Sequence, residues 1–451
     1  MSQLSSSKGS FIALLPLLLF VFTFLGAGIY LNDFYALPSP VAVSLGVILA
    51  FCLFKDSIDV KISTFLKGCG DEKIMTMCVI YLLAGAFTVV SKATGSVDAI
   101  VDLGLNYISL PFLYVGIFVI SAFLSFSTGT SVGAIVALAA IVVSFAEKTG
   151  ASLSILSASL LGGAMFGDNL SFISDTTIAA TQSLECKMKD KFKQNLRIAF
   201  PAAVLAAAVL IYQGFLLDAG DTVFASSEVD PVKIIPYLLV ISLAIMGFNV
   251  FAVLVTGIFS AGVIGIYNQD FNLLEFAQLS YEGFEGMTEI FLLSLLTGGL
   301  AAMVTKAGGL DYISHLISKR TNKRYAYLGI GGLVGATNMA IANNTVSILV
   351  TGPIAKEMKD KMKLSKKKVA SVLDIFACVV QGVLPYGAQV LLLLSYGAKD
   401  MNYFELVGNA WYIWFLLLGT IIYFSGLFRS KVSKNPHPLV NVRRSLFKKA
   451  A

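Results

Sequence analysis

The chain has 451 residues, of which 57% are hydrophobic and 13% are charged, and its net charge is +6. Its mean hydropathy is +0.81, whereas a soluble domain has about 25% charged residues, so the composition excludes an ordinary soluble enzyme. The lysines and arginines lie in a few short loops, and we therefore expect the lipid bilayer as a partner and no nucleic acid.

Apolar runs recur from Phe11 to Phe428. Each crossing of the hydrocarbon core needs roughly 20 residues, so the pattern predicts an all-α polytopic membrane protein with about ten crossings. The runs lack the period-two alternation of barrel strands. No clear cleavage site follows Phe11–Ile29, which predicts an uncleaved first helix. The five cysteines form no C-x-x-C pair, so we expect no disulfide or metal framework and no cofactor.

Charged residues between the apolar runs predict the orientation of the chain. Basic loops tend to face the cytoplasm, and acidic loops without Lys or Arg are placed outside here. This rule predicts that both termini lie in the cytoplasm, and we expect the protein in a bacterial inner membrane. The basic segments are Lys55–Lys73, Lys187–Arg197, Lys319–Arg324, Lys356–Lys368 and the tail from Arg429, and the acidic loops are Asp218–Asp230 and Asp270–Glu289.

Two stretches of the chain resemble each other. "LLAGAFTVVSKATGSVDAI" (82–100) aligns with "LLTGGLAAMVTKAGGLDYI" (295–313), which places Lys92 opposite Lys306 and, at an offset of about 215, Thr130 opposite Thr345. The flanking charges give the two stretches opposite orientations, and inverted repeats with re-entrant hairpins and interrupted helices are typical of secondary transporters.

We expect the tip of each re-entrant hairpin to stop inside the bilayer. The repeat divides the chain into five predicted segments. They are an N-terminal two-helix segment (1–73), a first repeat (74–182) with hairpin 110–146 and broken helix 152–182, connecting helices (183–289), a second repeat (290–399) with hairpin 325–355 and broken helix 370–398, and a last helix with a basic tail (400–451).

Two carboxylates lie within the broken helix of the first repeat. Ionisable groups inside a membrane span are costly and often mark an ion pathway. Asp168 and Asp175 are seven residues apart and would share one face of an unbroken helix. With nearby hydroxyls and unwound carbonyls they offer hard oxygen ligands, so we predict Na⁺ at Asp168 and Asp175. The alternative is that one of them merely caps a half-helix.

Polar residues at the hairpin tips and at the second helix break extend the predicted site. Hydroxyls, amides and helix N-terminal N–H groups suit an anion or a cation. Asp374 is either a proton relay or a satisfied interfacial carboxylate. The predicted cation- or solute-binding residues are Ser127, Thr128, Thr130, Ser131, Asp168, Asn169, Ser171, Ser174, Asp175, Thr176, Asn343, Asn344, Thr345, Gln381, Tyr386 and Gln389.

Enzyme activity is not expected. The stretch 129–133 matches G-x-S-x-G, but this motif needs a strand–turn–helix context and a histidine partner. The two histidines, His315 and His437, are assigned to cytoplasmic positions away from that tip. The chain has no G-x-x-x-x-G-K-[ST] phosphate-binding loop, which argues against an ATP-driven pump.

"GGAMFGDNLSFISDTTIAAT" and "SFSTGTSVG" resemble the conserved stretches of the NhaC-type Na⁺/H⁺ antiporters in the ion transporter superfamily. The resemblance covers about residues 75–400 and implies an inverted-repeat bundle with sodium-coupled transport. Phe172 departs from it, because proline is common there. The residues to which the resemblance points are Thr128, Thr130, Ser131, Asp168, Ser171, Ser174, Asp175 and Thr176.

The predicted function is cation-coupled secondary transport, with Na⁺/H⁺ antiport as the first hypothesis and Na⁺ and/or H⁺ as the coupling ions. The stretch "DIFACVVQGVLPYGAQ" looks closer to a branch assigned to amino-acid uptake. The alternative is therefore Na⁺- or H⁺-coupled uptake of an amino acid, whose carboxylate Asn343 and Asn344 would hold. A homodimer is compatible with the sequence.

Overall fold

The computed structural model describes residues 9–31, 37–217, 230–321, 325–397 and 401–425, and all regular elements in these ranges are helices. Eight of the described helices are long and apolar enough to cross a membrane, and four shorter helices are also apolar. The predicted all-α polytopic membrane protein is thus confirmed, whereas the count of ten crossings stays a prediction. Most of the acidic loop from Asp218 and the tail from Arg429 lie outside the described residues.

The first half of the described chain contains ten α-helices and two short 3₁₀ helices. The 3₁₀ helices are Phe11–Leu14, before the first α-helix, and Leu110–Phe112, before the sixth. Its α-helices are α1 (Leu15–Leu31), α2 (Ser39–Leu53), α3 (Ile58–Cys69), α4 (Glu72–Ala93), α5 (Ser96–Tyr107), α6 (Leu113–Thr128), α7 (Ser131–Thr149), α8 (Leu153–Leu170), α9 (Asp175–Ser183) and α10 (Met188–Phe215).

The second half repeats this order of helices, with two short helices in the place of α10. Its α-helices are α11 (Pro231–Ile245), α12 (Val250–Tyr267), α13 (Leu273–Gly286), α14 (Thr288–Lys306), α15 (Gly309–Arg320), α16 (Ala326–Ile341), α17 (Asn344–Met362), α18 (Lys366–Val383), α19 (Ala388–Gly397), α20 (Tyr403–Gly408) and α21 (Trp411–Ser425).

Corresponding helices of the two halves make equivalent contacts with the other half. Helix α3 packs on α14 while α13 packs on α4, and α9 packs on α17 while α19 packs on α7. Matching hydrogen bonds lie 213 residues apart: the Ser152 amide donates to the Tyr114 hydroxyl at 3.1 Å, and the Ser365 amide donates to the Tyr327 hydroxyl at 3.1 Å. The repeat therefore includes helices that the sequence comparison left outside it, such as α3 and α13.

The two hairpin tips have the same backbone geometry. Gly129 ends α6 with φ 73°, and Ala342 ends α16 with φ 57°. The next residue caps the following helix: the Thr130 side chain accepts from the Gly133 amide, and the Asn343 side chain accepts from the Val346 amide. Thr130 therefore corresponds to Asn343. The sequence alignment of Thr130 with Thr345 was wrong by two residues, because apolar similarity does not fix the register of a capped turn.

Two segments expected as charged loops are helical. Residues 273–286 of the acidic loop form α13, which begins with a capping box between Asn272 and Glu275. This helix packs closely on α4 at Gly283. A Cβ atom on Gly283 would lie only 2.5 Å from the Ala86 Cα, so the close approach requires glycine. The basic segment 187–197 likewise forms the first turns of α10. Local capping and close helix packing outweigh the polar composition in both segments.

Candidate functional site

A cavity of about 230 Å³ lies where the two hairpin tips meet. It is bordered by the starts of five helices, α7, α9, α12, α17 and α19, together with part of α4. Both repeats therefore contribute polar groups to one space. The polar residues that line it are Thr76, Thr128, Thr130, Ser131, Asp168, Ser174, Asp175, Thr176, Asn249, Asn344, Thr345 and Gln389.

Asp168 is the buried carboxylate of this cavity. It lies near the end of α8 and is 6% exposed. The Ser131 hydroxyl, at the start of α7, donates to Oδ2 at 2.8 Å, and the Ser174 hydroxyl, before α9, donates to Oδ1 at 2.5 Å. Both donors lie at helix N-termini, whose dipoles favour a negative charge. These contacts favour an ionised carboxylate, whereas burial favours the protonated form, so the acid can hold either a cation or a proton.

A chain of hydrogen bonds joins Asp168 to the second repeat. Gln389 Nε2 donates to the Ser131 hydroxyl at 3.0 Å. Gln381 Nε2 donates to Gln389 Oε1 at 3.1 Å and to the Ala342 carbonyl, at the second tip, at 3.3 Å. Because the Ser131 hydroxyl accepts from Gln389, its own proton is directed towards Asp168.

Asp175 has a different environment from Asp168. Its side chain is 61% exposed and forms an ion pair with Lys73 at 2.6 Å, although it also borders the cavity. The two acids would share one face only if the helix were unbroken, and the predicted break is present, because α8 ends at Leu170 and α9 begins at Asp175. The four residues between the two helices turn the chain and place one acid inside and the other at the surface.

The helix break forms without proline at position 172. The Phe172 side chain is exposed and stacks on Phe192 with 4.6 Å between ring centroids. The Thr177 hydroxyl donates to the Ser171 carbonyl at 2.8 Å, and the Ser171 hydroxyl accepts from the Ile173 amide at 3.3 Å. These local bonds satisfy backbone groups that the interrupted helix frees. Ser171 therefore shapes the break and does not line the cavity.

A second polar cluster lies behind the break. Lys191 Nζ and Asp374 Oδ2 are 2.6 Å apart with side-chain exposures of 1% and 0%. Lys191 also donates to the Asn169 carbonyl at 2.9 Å and to the Thr177 hydroxyl at 2.7 Å. Asn195 donates to Asp374 Oδ2 at 2.7 Å. The predicted site residue Asn169 belongs to this cluster, and a proton-relay role for Asp374 stays a prediction.

The sequence analysis missed Lys191 and Asn195. Both lie in the basic segment 187–197, whose charges were interpreted as a solvated loop. Their spacing of four residues, continued by the buried positions Ile198 and Ala199, places them on one face of α10. Helical periodicity could have found them, had α10 been extended towards its charged end.

The remaining predicted residues lie near the cavity but outside its lining. Ser127 is half-buried on the last turn of α6. Asn343 caps α17, and its amide contacts the Met77 sulfur at 4.0 Å. The Tyr386 hydroxyl donates to the Met339 carbonyl at 2.7 Å, and its ring packs on Phe20.

The cavity offers hydroxyl, amide and carboxylate oxygens. No group of three or more His, Cys, Asp or Glu side chains suited to a metal ion occurs within the described residues. Hard oxygen donors suit alkali and alkaline-earth cations, whereas transition metals prefer nitrogen and sulfur. The site can therefore replace the water shell of a small hard cation, and its buried acid can also hold a proton.

A polar cavity with one buried carboxylate, enclosed by repeated membrane-length helices, defines a membrane transporter. The sequence profile of the Na⁺/H⁺ antiporter family matches residues 12–215 and 229–427. The chain belongs to this family.

Named relatives include proteins with different transported solutes. A malate-2H⁺/Na⁺-lactate antiporter of Bacillus subtilis is 23% identical over 77% of this chain and 79% of its own length. The Na⁺/H⁺ antiporter NhaC of the same organism is 23% identical over 72% and 78%. The arginine/ornithine antiporter ArcD of Halobacterium salinarum is 23% identical over 87% of each chain. All three names describe antiporters, and the predicted cation-coupled transport class is confirmed.

Proposed function

We propose that this protein exchanges Na⁺ for H⁺, and that Asp168 holds either ion in turn. The observation that supports the proposal is the position of this acid, buried and hydrogen-bonded at the edge of the cavity between the two tips. The family supports Na⁺ and H⁺ as the exchanged ions.

Competition for one carboxylate gives a simple mechanism of exchange. A cation that loses its water needs compensating charge and oxygen ligands, which Asp168, Ser131 and Ser174 would supply. A proton on Asp168 removes that charge, so Na⁺ and H⁺ exclude each other. If the cavity faces each side of the membrane alternately, one ion leaves where the other enters.

We further propose that the chain spans a bacterial inner membrane with both termini in the cytoplasm. The bacterial sources of named relatives support this membrane. The distribution of charge supports the orientation: Lys366 and Lys367 lie at one predicted cytoplasmic loop, whereas Glu282 and Glu285 lie in a segment without lysine or arginine. A homodimer stays a prediction, which the mass of the purified protein in detergent would test.

Amino-acid uptake is the second candidate. The starts of five helices border the cavity, and helix N-termini favour an anionic group such as a carboxylate. Asn344 and Thr345 would hold that group, and a cavity of about 230 Å³ exceeds what a single Na⁺ requires. The relative named as an arginine/ornithine antiporter agrees with this candidate.

Proton release on Na⁺ binding tests the role of Asp168. When Na⁺ is added to purified wild-type protein in weakly buffered, mildly acidic detergent solution, in which Asp168 carries a proton, we expect protons to be released. Asp168→Asn should show neither Na⁺ binding nor proton release, whereas Asp168→Glu should retain part of both.

Asp175→Asn is the matched control, because Asp175 borders the same cavity but is exposed and ion-paired. We expect it to release protons with a half-saturating Na⁺ concentration within about threefold of wild type. If proton release persisted in Asp168→Asn and disappeared in Asp175→Asn, Asp175 would be the acid that holds Na⁺ or H⁺. That result would contradict the proposal.

A further inference from the structure

The buried charges of this protein form a small set. Within the ranges that the structure describes, the buried Asp, Glu, Lys and Arg side chains are Asp168, Lys191 and Asp374. Charged side chains are almost never fully buried unless they are paired. Two carboxylates and one ammonium leave one negative charge inside the protein.

Each of the three groups has hydrogen-bond or ion-pair partners. Asp168 accepts from two hydroxyls. Asp374 Oδ2 accepts from Asn195 and pairs with the Lys191 ammonium. Lys191 donates to a carbonyl and a hydroxyl as well, which uses the three N–H groups of an ammonium. Lys191 therefore compensates Asp374 and leaves Asp168 as the uncompensated acid.

The ion pair also lies within electrostatic range of the cavity. Lys191 Nζ donates at 2.9 Å to the carbonyl of Asn169, the residue that directly follows Asp168, so the ion pair lies beside the backbone of that acid. A change of charge at Lys191 or Asp374 would therefore change the potential at Asp168.

We propose that the Lys191–Asp374 pair is a fixed internal counter-charge that sets the buried charge to one, and so makes the site specific for a single monovalent cation. This inference rests on the proposed function of Asp168. One Na⁺ or one H⁺ neutralises the site completely, and a neutral interior has the lowest cost of burial. Lys191 and Asp374 are specificity-determining residues and do not contact the transported ion.

Two variants distinguish the effect of the pair's net charge from the effect of its structural contacts. Asp374→Asn leaves the Lys191 ammonium without its partner, so its charge cancels that of Asp168. We expect the half-saturating Na⁺ concentration to rise at least tenfold. The double variant Lys191→Met/Asp374→Asn restores one net negative charge. We expect its half-saturating concentration to return to within about threefold of wild type.

The measurement is equilibrium binding of ²²Na⁺ to purified protein whose elution in detergent matches that of wild type. The ion pair between Lys148 on α7 and Asp102 on α5 is the control. Its Nζ–Oδ1 distance is also short, at 2.7 Å, but both side chains are about a quarter exposed. Neutralising both of its members should leave Na⁺ binding unchanged. If Asp374→Asn is not recovered folded, the double variant remains a test, because loss of Na⁺ binding in the folded double variant contradicts the proposal.

The outcomes distinguish this inference from the proposed function. Absence of Na⁺ binding in wild type, or unchanged binding in Asp168→Asn, would overturn the function itself. Normal behaviour of wild type and Asp168→Asn, with no change in Asp374→Asn, would overturn the counter-charge alone. A double variant as weak in Na⁺ binding as Asp374→Asn would show that the pair acts through its structure and not through its charge.

Discussion

Two hydroxyls hold the Asp168 carboxylate at the cavity. Ser131 and Ser174 come from different helix starts, and each donates to a different carboxylate oxygen. Hydrogen bonds to charged groups contribute about 1.5–3 kcal/mol each. The two serines therefore stabilise the ionised acid and supply oxygens for the proposed cation.

Ser131→Ala and Ser174→Ala should each weaken Na⁺ transport. Each removes one donor to the carboxylate, so we expect the half-maximal Na⁺ concentration to rise on the order of tenfold, which corresponds to about 1.4 kcal/mol. Sodium-dependent flux at varied Na⁺ concentration measures this. Ser171→Ala is the control, because Ser171 is buried nearby but bonds to the backbone of the break. Equal effects of all three would show that the serines merely maintain the fold.

Sequence reasoning found Asp168 and missed Lys191 for the same physical reason. An acid among apolar residues stands out because burial of a charge is costly. A lysine among other lysines does not stand out, although burial makes it equally unusual. The partner of Lys191, Asp374, is 183 residues away, so this ion pair depends on tertiary packing that no local pattern records.

At the scale of elements, the hairpin tips are capped turns in one register. A left-handed residue, Gly129 or Ala342, precedes the cap in each tip. The sequence predicted both interruptions because polar residues interrupt apolar runs there. It aligned Thr130 with the wrong residue of the second repeat. The cap is a hydroxyl in one tip and an amide in the other, so residue similarity did not identify the equivalent position.

Substitution of the two caps tests this register. Thr130→Ala and Asn343→Ala each remove an acceptor for a helix N-terminal amide, so we expect each to destabilise the protein by about 0.5–2 kcal/mol. Thr345→Ala is the control, because Thr345 lies inside the first turn of α17 and is not its cap. Thermal unfolding in detergent compares the three. Destabilisation by Thr345→Ala equal to that by Asn343→Ala would favour the original alignment.

At the scale of the whole molecule, the two halves share contacts and yet differ in charge. At the offset of 213 residues, Asp168 corresponds to Gln381 and Ser131 to Asn344, so an acid and a hydroxyl in one repeat are amides in the other. The fold is therefore symmetric, and the proposed ion chemistry is concentrated in the first repeat. Periodicity and charge predicted the helical membrane fold, but this asymmetry needed the structural register.

The predicted orientation of the membrane protein can be tested with two exposed positions. In a variant whose five cysteines are replaced by alanine, Gln269→Cys should react with an impermeant thiol reagent added to intact cells. Lys367→Cys should react only after the cells are permeabilised, because basic loops are retained in the cytoplasm. Labelling of Lys367→Cys alone in intact cells would reverse the orientation while leaving the repeat unchanged.

Sodium-driven proton movement in proteoliposomes tests the central claim most directly. The vesicles contain a pH-sensitive dye, and Na⁺ is added outside while potassium and valinomycin hold the membrane potential at zero. We predict that the lumen becomes alkaline with wild-type protein, because entering Na⁺ is exchanged for H⁺, and that Asp168→Asn shows no change. Sodium entry without a change of pH, and only when an amino acid is supplied, would contradict Na⁺/H⁺ exchange and establish coupled uptake instead.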